Sequence, residues 1–481
     1  MKKAFKEGFK QEITAQRISG FGSEIKFSEQ LQAKFNGLLQ DNISPGQRQL
    51  SLQIFAALYA FPDIRVSELL AAYNLSLPEI KKVYAVLKPL AVLKELFSEH
   101  PLWKNFFYKL KTLIQDSELM DKLNKGEFIY PRAIEIHPSI RCNFRCEFCY
   151  SKDNWQYLEE RTGQTPLTVS AWEKLLAEGQ KNGLQTVFIS GGLEPLMAKE
   201  KTLAVARKAL ALGIKPILFC NGSLINVNNE TELYLLLSLN TLAISLKGIS
   251  PETYRKTVVS YSNFARLVEI IDVLCQKKRI SKSATEIILP FFISENTYQE
   301  LPQLIDLVNQ HDWADSVVLG LSTDNIITRK NALQNREAMY IGNVLTDLVN
   351  NSHIRFNTND TLNDFMFRFN NNNIPAVYNY QLRNVPSCKY WELRPAINPY
   401  GKVFPCCFVS MPGIAPVSKQ PYLGIVSAET SLADILIANA SNNLNTENCF
   451  SCNPAEKSGL RGVAKLKADF TAGLDYQLQP Y

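Results

Sequence analysis

The sequence lacks any long hydrophobic run. No stretch of about twenty apolar residues, the length that spans a bilayer, occurs in the 481 residues. Residues 1–10 are basic but lack the apolar segment that a signal peptide needs. We therefore expect a cytoplasmic protein with no membrane partner.

Strong charge of one sign is also absent. The net charge of +6 is mild and scattered along the chain. It suits an acidic peptide, but it does not indicate nucleic acid, which is not an expected partner. Ten cysteines in a cytoplasmic protein, mostly at Cys-x-x-Cys-like spacings, indicate metal ligands rather than disulfides.

At 481 residues the chain is too long for one core, which stops growing at roughly 250 to 300 residues, so two or three domains are expected. Residues 1–44 are predicted to form an extended or partly helical arm. Residues 45–130 carry apolar residues at helical spacing, and residues 67–83 have the pattern of a helix-turn-helix. Such a unit could read DNA, bind a leader peptide or cover the core, and the sequence leaves these alternatives open.

Residues 131–325 alternate short β-branched runs with helical stretches, the pattern of βα units around a parallel sheet. Six strands are predicted, at 133–138, 186–190, 216–220, 241–246, 286–291 and 316–321. They predict an α/β fold, an open, partial (β/α)6 barrel whose catalytic residues follow the carboxyl ends of the strands. Residues 326–385 are predicted to be a linker region, and residues 386–481 a cysteine-bearing domain with a tail.

The first predicted strand leads into three closely spaced cysteines, Cys142, Cys146 and Cys149. Four thiolates would complete the coordination of a four-iron cluster, so three leave one iron with an open site. Zinc is the alternative, but zinc takes four ligands and no histidine follows at a useful distance. The spacing, with Phe148 before the last cysteine, resembles that of the radical S-adenosylmethionine (SAM) superfamily.

That resemblance implies a [4Fe-4S] cluster that binds SAM, and it extends to three further loops. Residues 190–195 resemble the superfamily's Gly-Gly-Glu-Pro with an additional Leu193. Residues 220–223 are similar to its Thr-Asn-Gly, and residues 245–248 to its Ser-Leu-Asp-Gly, with Lys247 in place of the usual acid. The implied SAM-binding residues are Phe148, Gly191, Gly192, Glu194, Asn221 and Ser245.

A second cysteine set begins at Cys388, followed by twelve residues, Gly401, four residues and Cys406, a spacing that predicts a small hairpin. A later pair, Cys449 and Cys452, completes four ligands, which would suit either zinc or a second four-iron cluster. Beside the first motif, this set resembles the twitch or SPASM-like extension of radical SAM enzymes that modify peptides. The resemblance implies an auxiliary [4Fe-4S] cluster.

Three cysteines remain: Cys220, Cys275 and Cys407. Cys275 lies in an apolar helical run and is predicted to be core, and Cys220 ends a predicted strand and is therefore expected to face the cofactor region. Cys407 adjoins Cys406, so either of that pair could bind the cluster. The overall layout resembles the proteusin-type peptide epimerases, which act on ribosomally synthesised and post-translationally modified peptides (RiPPs). The resemblance implies that a 5'-deoxyadenosyl radical takes a Cα hydrogen and that a thiol, Cys407 first and Cys220 second, returns one to give a D-residue.

The implied partners are a precursor peptide with a leader sequence and a one-electron reductant of the flavodoxin or ferredoxin type. A splicease that excises tyramine from the backbone and an enzyme that crosslinks side chains would use the same two clusters, and both stay open. A regulator of the helix-turn-helix class, sensing redox state or iron, would need a basic recognition helix. Lys81 and Lys82 are the only adjacent basic pair there.

Overall fold

The computed structural model describes residues 27–39, 43–60, 79, 82–83, 86, 128–147, 149, 165–190, 193–259, 263–313, 315–321, 344, 355–356, 391, 394–407, 410 and 422–440. The chain divides into two compact units, Met1–Glu127 with Ser458–Tyr481, and Phe128–Lys457. The first unit contains helices α1 (Glu29–Asn36) and α2 (Pro45–Ala60). Most of the predicted helix-turn-helix lies outside the described residues. Among the helices that are described, none has the length and apolarity needed to cross a membrane.

The second unit is built on a ten-stranded sheet with the order β10-β9-β8-β1-β2-β3-β4-β5-β6-β7. Its strands are β1 (Ala133–Ile136), β2 (Thr186–Ile189), β3 (Lys215–Cys220), β4 (Thr241–Ile244), β5 (Glu286–Ile293), β6 (Ser316–Leu321), β7 (Arg355–Phe356), β8 (Ala396–Ile397), β9 (Lys402–Phe404) and β10 (Gly424–Ile425). Strands β8 and β1 to β7 run parallel, and β9 and β10 are antiparallel to their neighbours. The six predicted strands are confirmed as β1 to β6.

Helices alternate with the parallel strands, as the predicted βα pattern requires. They are α3 (Val169–Lys181), α4 (Lys199–Ala211), α5 (Glu230–Leu236), α6 (Pro251–Val258), α7 (Phe264–Ser281), α8 (Leu301–His311) and, after the strands, α9 (Leu432–Ala438). Several begin at a residue whose side-chain oxygen accepts a hydrogen bond from a backbone N–H of the first turn, as Thr168, Asn229 and Ser250 do. Polar residues at these positions therefore fix where each strand-to-helix connection ends.

Side chains along the strands alternate between a covered face and a more open one. Ile134 and Ile136 of β1 are fully buried in the core that includes the helices, as are their neighbours in register on β2. The intervening side chains of the sheet, such as Phe188, Phe219 and Phe292, are only half-buried. We call this second side the interior face, because in a partial barrel it lines the cavity.

The predicted hairpin is present as β8 and β9. Gly401 in its turn has a φ of 80°, and a Cβ there would lie 2.8 Å from the carbonyl oxygen of Val426, so glycine suits the turn on both counts. Strand β8 pairs with β1, with Ala396 opposite Glu135. The hairpin therefore extends the sheet of the barrel.

Candidate active site

The loop that follows β1 holds the first three cysteines at the carboxyl edge of the sheet. Cys146 is buried, whereas Cys142 and Cys149 are partly exposed. Burial, with a smaller contribution from nearby thiols, raises the pKa of Cys142 to about 12 and that of Cys146 to about 11. Iron binds thiolates, and its positive charge offsets the cost of ionising buried sulfur. Among the described residues no group of three or more His, Cys, Asp or Glu side chains is placed to hold a single metal ion. The three thiols of this loop are the donor set that holds three irons of a four-iron cluster and leaves the fourth open.

Segments from two neighbouring βα connections hold this loop from one side. The backbone N–H of Glu147 donates to the carbonyl of Thr257 in α6 at 2.8 Å, and Asn296, after β5, donates to the Glu147 carboxylate at 2.7 Å. The ring of Phe144 meets that of Tyr254 edge-on, with 6.3 Å between centroids. These contacts hold the cysteine loop against α6 and against the loop after β5.

An amide network holds the loop from the other side. Asn221, which follows β3, donates to the side-chain oxygen of Asn143 at 2.9 Å, and Asn143 donates to the hydroxyl of Ser223 at 2.9 Å. Ser223 closes the network by donating its hydroxyl and its backbone N–H to Asn221. The predicted residue Asn221 therefore lies against the cysteine loop, through a partner that sequence reasoning did not identify.

Glu194 joins the loops that follow β2 and β3. Its carboxylate accepts the backbone N–H of Asn221 at 2.7 Å and that of Leu196 at 3.0 Å, and its own N–H donates to the carbonyl of Arg141 at 3.0 Å. Burial raises the pKa of Glu194 to about 7, against the effect of the two N–H donors and of Lys247. The predicted residues Gly191, Gly192 and Phe148 lie outside the described part of the chain.

Ser245 and Lys247 follow β4 on the interior face. The backbone N–H of Ser245 donates to the carbonyl of Cys220 at 2.9 Å, which continues the pairing of β3 with β4. The Lys247 ammonium lies 4.6 Å from the centroid of the Phe292 ring. Its charge lowers the pKa of both Cys146 and Glu194, so this cation lies near the cysteine loop.

Cys220 lies on the covered face of the sheet. It pairs with Ile244 and alternates with Phe219 of the interior face, and only 4% of its surface is exposed. Burial raises its pKa well above the usual thiol value. Cys275 is buried in α7, where the sequence placed it in the core.

Cys406 and Cys407 are both buried and follow β9. Strand β9 is antiparallel to β8, and Phe404 lies opposite Ala396, which itself lies opposite Glu135. The chain beyond Phe404 therefore runs towards the amino-terminal edge of the parallel strands, away from the edge that carries the cysteine loop. The other predicted cluster ligands, Cys388, Cys449 and Cys452, lie outside the described residues.

Three supporting residues were not predicted from the sequence: Asn143, Tyr254 and Asn296. Each contacts the cysteine loop or lies in it, and each comes from a loop or helix start at the carboxyl edge. Asn143 could have been predicted as a site residue, because it lies between two cysteines of the motif. Tyr254 and Asn296 carry no such signal, because only the tertiary fold brings them to the loop.

Comparison with known proteins gives a family match over part of the chain. Residues 136–308 match the family model described as the radical SAM superfamily. Over 210 residues the chain is 21% identical to dTDP-4-amino-4,6-dideoxy-D-glucose ammonia-lyase of Streptomyces venezuelae, covering 43% of this chain and 41% of that protein. Over 228 residues it is 25% identical to GTP 3',8-cyclase of Staphylococcus aureus strain Mu3, covering 44% of this chain and 63% of that one.

Among solved structures, the crystal structure of Streptococcus suis SuiB bound to precursor peptide SuiA is similar, with a TM-score of 0.47 and 15% sequence identity. The match covers 74% of this chain and 75% of that one. Against both curated relatives the chain spans less than two thirds of their length.

Proposed function

Because residues 136–308 form a radical SAM superfamily domain, we propose that this protein is a radical SAM enzyme that epimerises L-residues of a ribosomally made peptide to D-residues. When bound, a [4Fe-4S] cluster and SAM supply a 5'-deoxyadenosyl radical that can take an unactivated hydrogen atom. The protein's tasks are then to hold both groups, position the peptide, exclude water and return a hydrogen atom.

The residues at the carboxyl edge fit the first of these tasks. Cys142, Cys146 and Cys149 would bind the cluster and leave one iron open to SAM. Glu194, after β2, and Ser245, after β4, would bind the polar groups of SAM's methionine and ribose. The hydrogen bond from the Asn221 side chain to Asn143 holds the loop after β3 against the cysteine loop.

One observation supports epimerisation in particular: the two thiol-bearing segments leave the sheet at opposite edges. Inversion at Cα needs one hydrogen removed from one side and another delivered to the opposite side. The cysteine loop follows the carboxyl end of β1, whereas Cys407 follows β9, which runs the other way. A peptide held between them would meet the radical on one side and a thiol on the other.

The proposed hydrogen return is balanced as follows. The Cys407 S–H bond breaks homolytically, its hydrogen atom forms the new Cα–H bond, and a sulfur radical remains. An electron from a flavodoxin- or ferredoxin-type reductant and a proton from solvent restore the thiol. Cys406, with Cys388, Cys449 and Cys452, would hold an auxiliary cluster beside this thiol.

The test begins with the protein reconstituted anaerobically with iron and sulfide. With SAM and dithionite it should form 5'-deoxyadenosine, measured by chromatography and mass spectrometry. With the precursor peptide in heavy water, each modified residue should gain one deuteron and hydrolyse to the D-amino acid. In ordinary water the peptide's mass should not change, whereas crosslinking would remove two hydrogens and excision would remove a fragment. Absence of SAM cleavage would refute the radical SAM assignment, and absence of deuterium would refute epimerisation alone.

Cys407→Ala provides the sharper comparison. Without the S–H donor the Cα radical should not be quenched with inversion, so deuterium incorporation at the modified residues should be lost while SAM cleavage continues. Cys275→Ala is the matched control, because that thiol is buried in the core of α7. Full epimerisation by Cys407→Ala would exclude Cys407 as the donor, and Cys220→Ala would then be the next variant to measure.

A further inference from the structure

Four polar side chains meet on the interior face of the sheet: Glu135, His137, Ser190 and Arg394, here called the interior cluster. Nε2 of His137 lies 3.4 Å from Oε1 of Glu135, and the Ser190 hydroxyl donates to the same oxygen. Nε of Arg394 lies 3.8 Å from Oε2, and its guanidinium carbon lies 4.7 Å from the centroid of the Phe188 ring. Ser190 begins the 190–195 motif, whereas Glu135, His137 and Arg394 were not singled out by the sequence.

The directions of these hydrogen bonds follow from the charge of Glu135. Burial alone would raise its pKa, but the hydrogen bond from His137, the charges of Arg394 and of a protonated His137, and the hydrogen bond from Ser190 lower it to about 2. An ionised carboxylate only accepts hydrogen bonds, so Nε2 of His137 and the hydroxyl of Ser190 must both be donors.

This polarity leaves two acceptors. In a neutral imidazole whose Nε2 carries the proton, Nδ1 keeps a lone pair, and a hydroxyl that donates its proton keeps two. His137 is 4% exposed, and the ring makes no other hydrogen bond within the described part of the chain. Nδ1 of His137 is not among the fully buried polar atoms that lack a partner in the described residues, so a ligand can reach it. A lone pair on a largely buried ring is stabilised by a group that brings a donor, so the arrangement suits a ligand with N–H or O–H groups.

The position of the cluster suits a substrate. His137 and Ser190 directly follow β1 and β2, so they lie at the carboxyl edge, where the cysteine loop also begins. Arg394 precedes β8 in the segment that leads through β9 to Cys407. The interior cluster thus lies on the face of the sheet where the radical would act. Its strands connect the cysteine loop at one edge with the segment that leads to Cys407 at the other.

Resting on the proposed function, we propose that His137 and Ser190 recognise backbone N–H groups of the peptide substrate, with Glu135 as the residue that positions both. Peptide N–H groups are the donors that recur along any peptide, whatever its side chains. Recognition through them would hold the main chain, and hence a Cα–H bond, in a constant place as different residues enter the site. Arg394 neutralises Glu135, so the two acceptors face the peptide without a net negative charge.

The first experiment measures the tautomer of His137 in the reconstituted full-length protein labelled with [15N]histidine. The chain has only four histidines, so single substitutions assign each ring. We expect Nε2 to carry the proton and Nδ1 to be unprotonated in wild type, and Ser190→Ala to keep this state. A proton on Nδ1, in a neutral or in a cationic ring, would overturn the proposal.

The second experiment titrates two probes, N-acetyl-tetraalanine N-methylamide and its analogue methylated at every backbone nitrogen. The first should shift the His137 Nδ1 signal, and the second, which lacks N–H groups, should not. Loss of one hydrogen bond should weaken binding of the first probe by roughly 2- to 10-fold in His137→Phe and in Ser190→Ala. His311→Phe is the matched control, because His311 also pairs with a carboxylate, that of Asp272 at 3.0 Å, outside the interior cluster.

The outcomes separate this inference from the proposed function. A shift by both probes, or by neither up to their solubility limit, would overturn the inference, whereas SAM cleavage without peptide should stay unchanged in His137→Phe. If wild type fails to cleave SAM yet its His137 ring responds to the N–H probe alone, the enzymatic assignment fails and the peptide-binding site remains. A His311→Phe variant that loses affinity equally would reduce the effect to general destabilisation and refute the site.

Discussion

Replacing Glu135 with glutamine should remove the best-defined electrostatic interaction of the interior face. The pKa of this carboxyl falls from its usual 4.5 to about 2. One pKa unit corresponds to about 1.4 kcal/mol, so the ionised form contributes about 3 kcal/mol to the free energy of unfolding at neutral pH. Loss of one partner of a buried ion pair typically costs about 3 to 5 kcal/mol, so the two arguments agree.

The sign of the pH dependence follows from the lowered pKa. The folded protein binds a proton at Glu135 less readily than the unfolded chain, so the contribution is fully present above pH 4.5 and is lost as pH falls towards about 2. Glu135→Gln should therefore be destabilised by about 3 kcal/mol at pH 7, and the difference from wild type should shrink below pH 4.5.

The assay is urea unfolding followed by tryptophan fluorescence, at several pH values, for wild type and variant. Glu178→Gln is the matched control: its carboxylate accepts the backbone N–H of Ala433 at 3.0 Å, and an amide oxygen can replace that acceptor. A loss for Glu135→Gln no larger than that of the control, or a difference that grows as the pH falls, would refute the reasoning.

Two further predictions concern the frame of the site. Gly222→Ala should destabilise the fold by about 2 to 4 kcal/mol, because Gly222 has a φ of 78° and a Cβ there would lie 2.8 Å from Ile244. Thermal unfolding should show a smaller loss, about 1 kcal/mol, for Gly183→Ala, where φ is also positive but no atom lies within 4 Å, and equal losses would contradict the steric argument. Asn296→Ala removes the hydrogen bond to Glu147, so the reconstituted protein should lose iron to a chelator about five times faster. Asn182→Ala, which loses only a bond to its own helix, should match wild type, and an unchanged rate for Asn296→Ala would show that the bond does not secure the loop.

The sequence was informative where local pattern decides the structure. The six parallel strands were predicted within a few residues, because each is a short apolar run between helical segments. The hairpin at Gly401 was predicted because its spacing and its glycine are both local signals. The cysteine loop and the residues that follow β2, β3 and β4 were predicted from their resemblance to radical SAM motifs, at the carboxyl edge where chemistry in a parallel sheet collects.

The interior cluster and the orientation of Cys220 could not be predicted from the sequence, because they depend on strand register and on contacts between distant residues. Glu135 and His137 lie in an apolar strand, and only the pairing of β1 with β8 brings Arg394 to them across more than half of the chain. Cys220 was predicted to face the cofactor because it ends a strand. Its alternation with Phe219 instead places it on the covered face, so its role as a second donor stays a prediction less favoured than that of Cys407.

The pairing of β8 with β1 also bears on how the protein can be divided. The cysteine spacing predicts a domain boundary near residue 386, yet β8 and β9 belong to the same sheet as the barrel strands. A shortened chain ending before Arg394 would leave the outer side of β1 with unpaired N–H and C=O groups, a surface that invites self-association. The catalytic core and the hairpin should therefore be expressed together as a single folding unit.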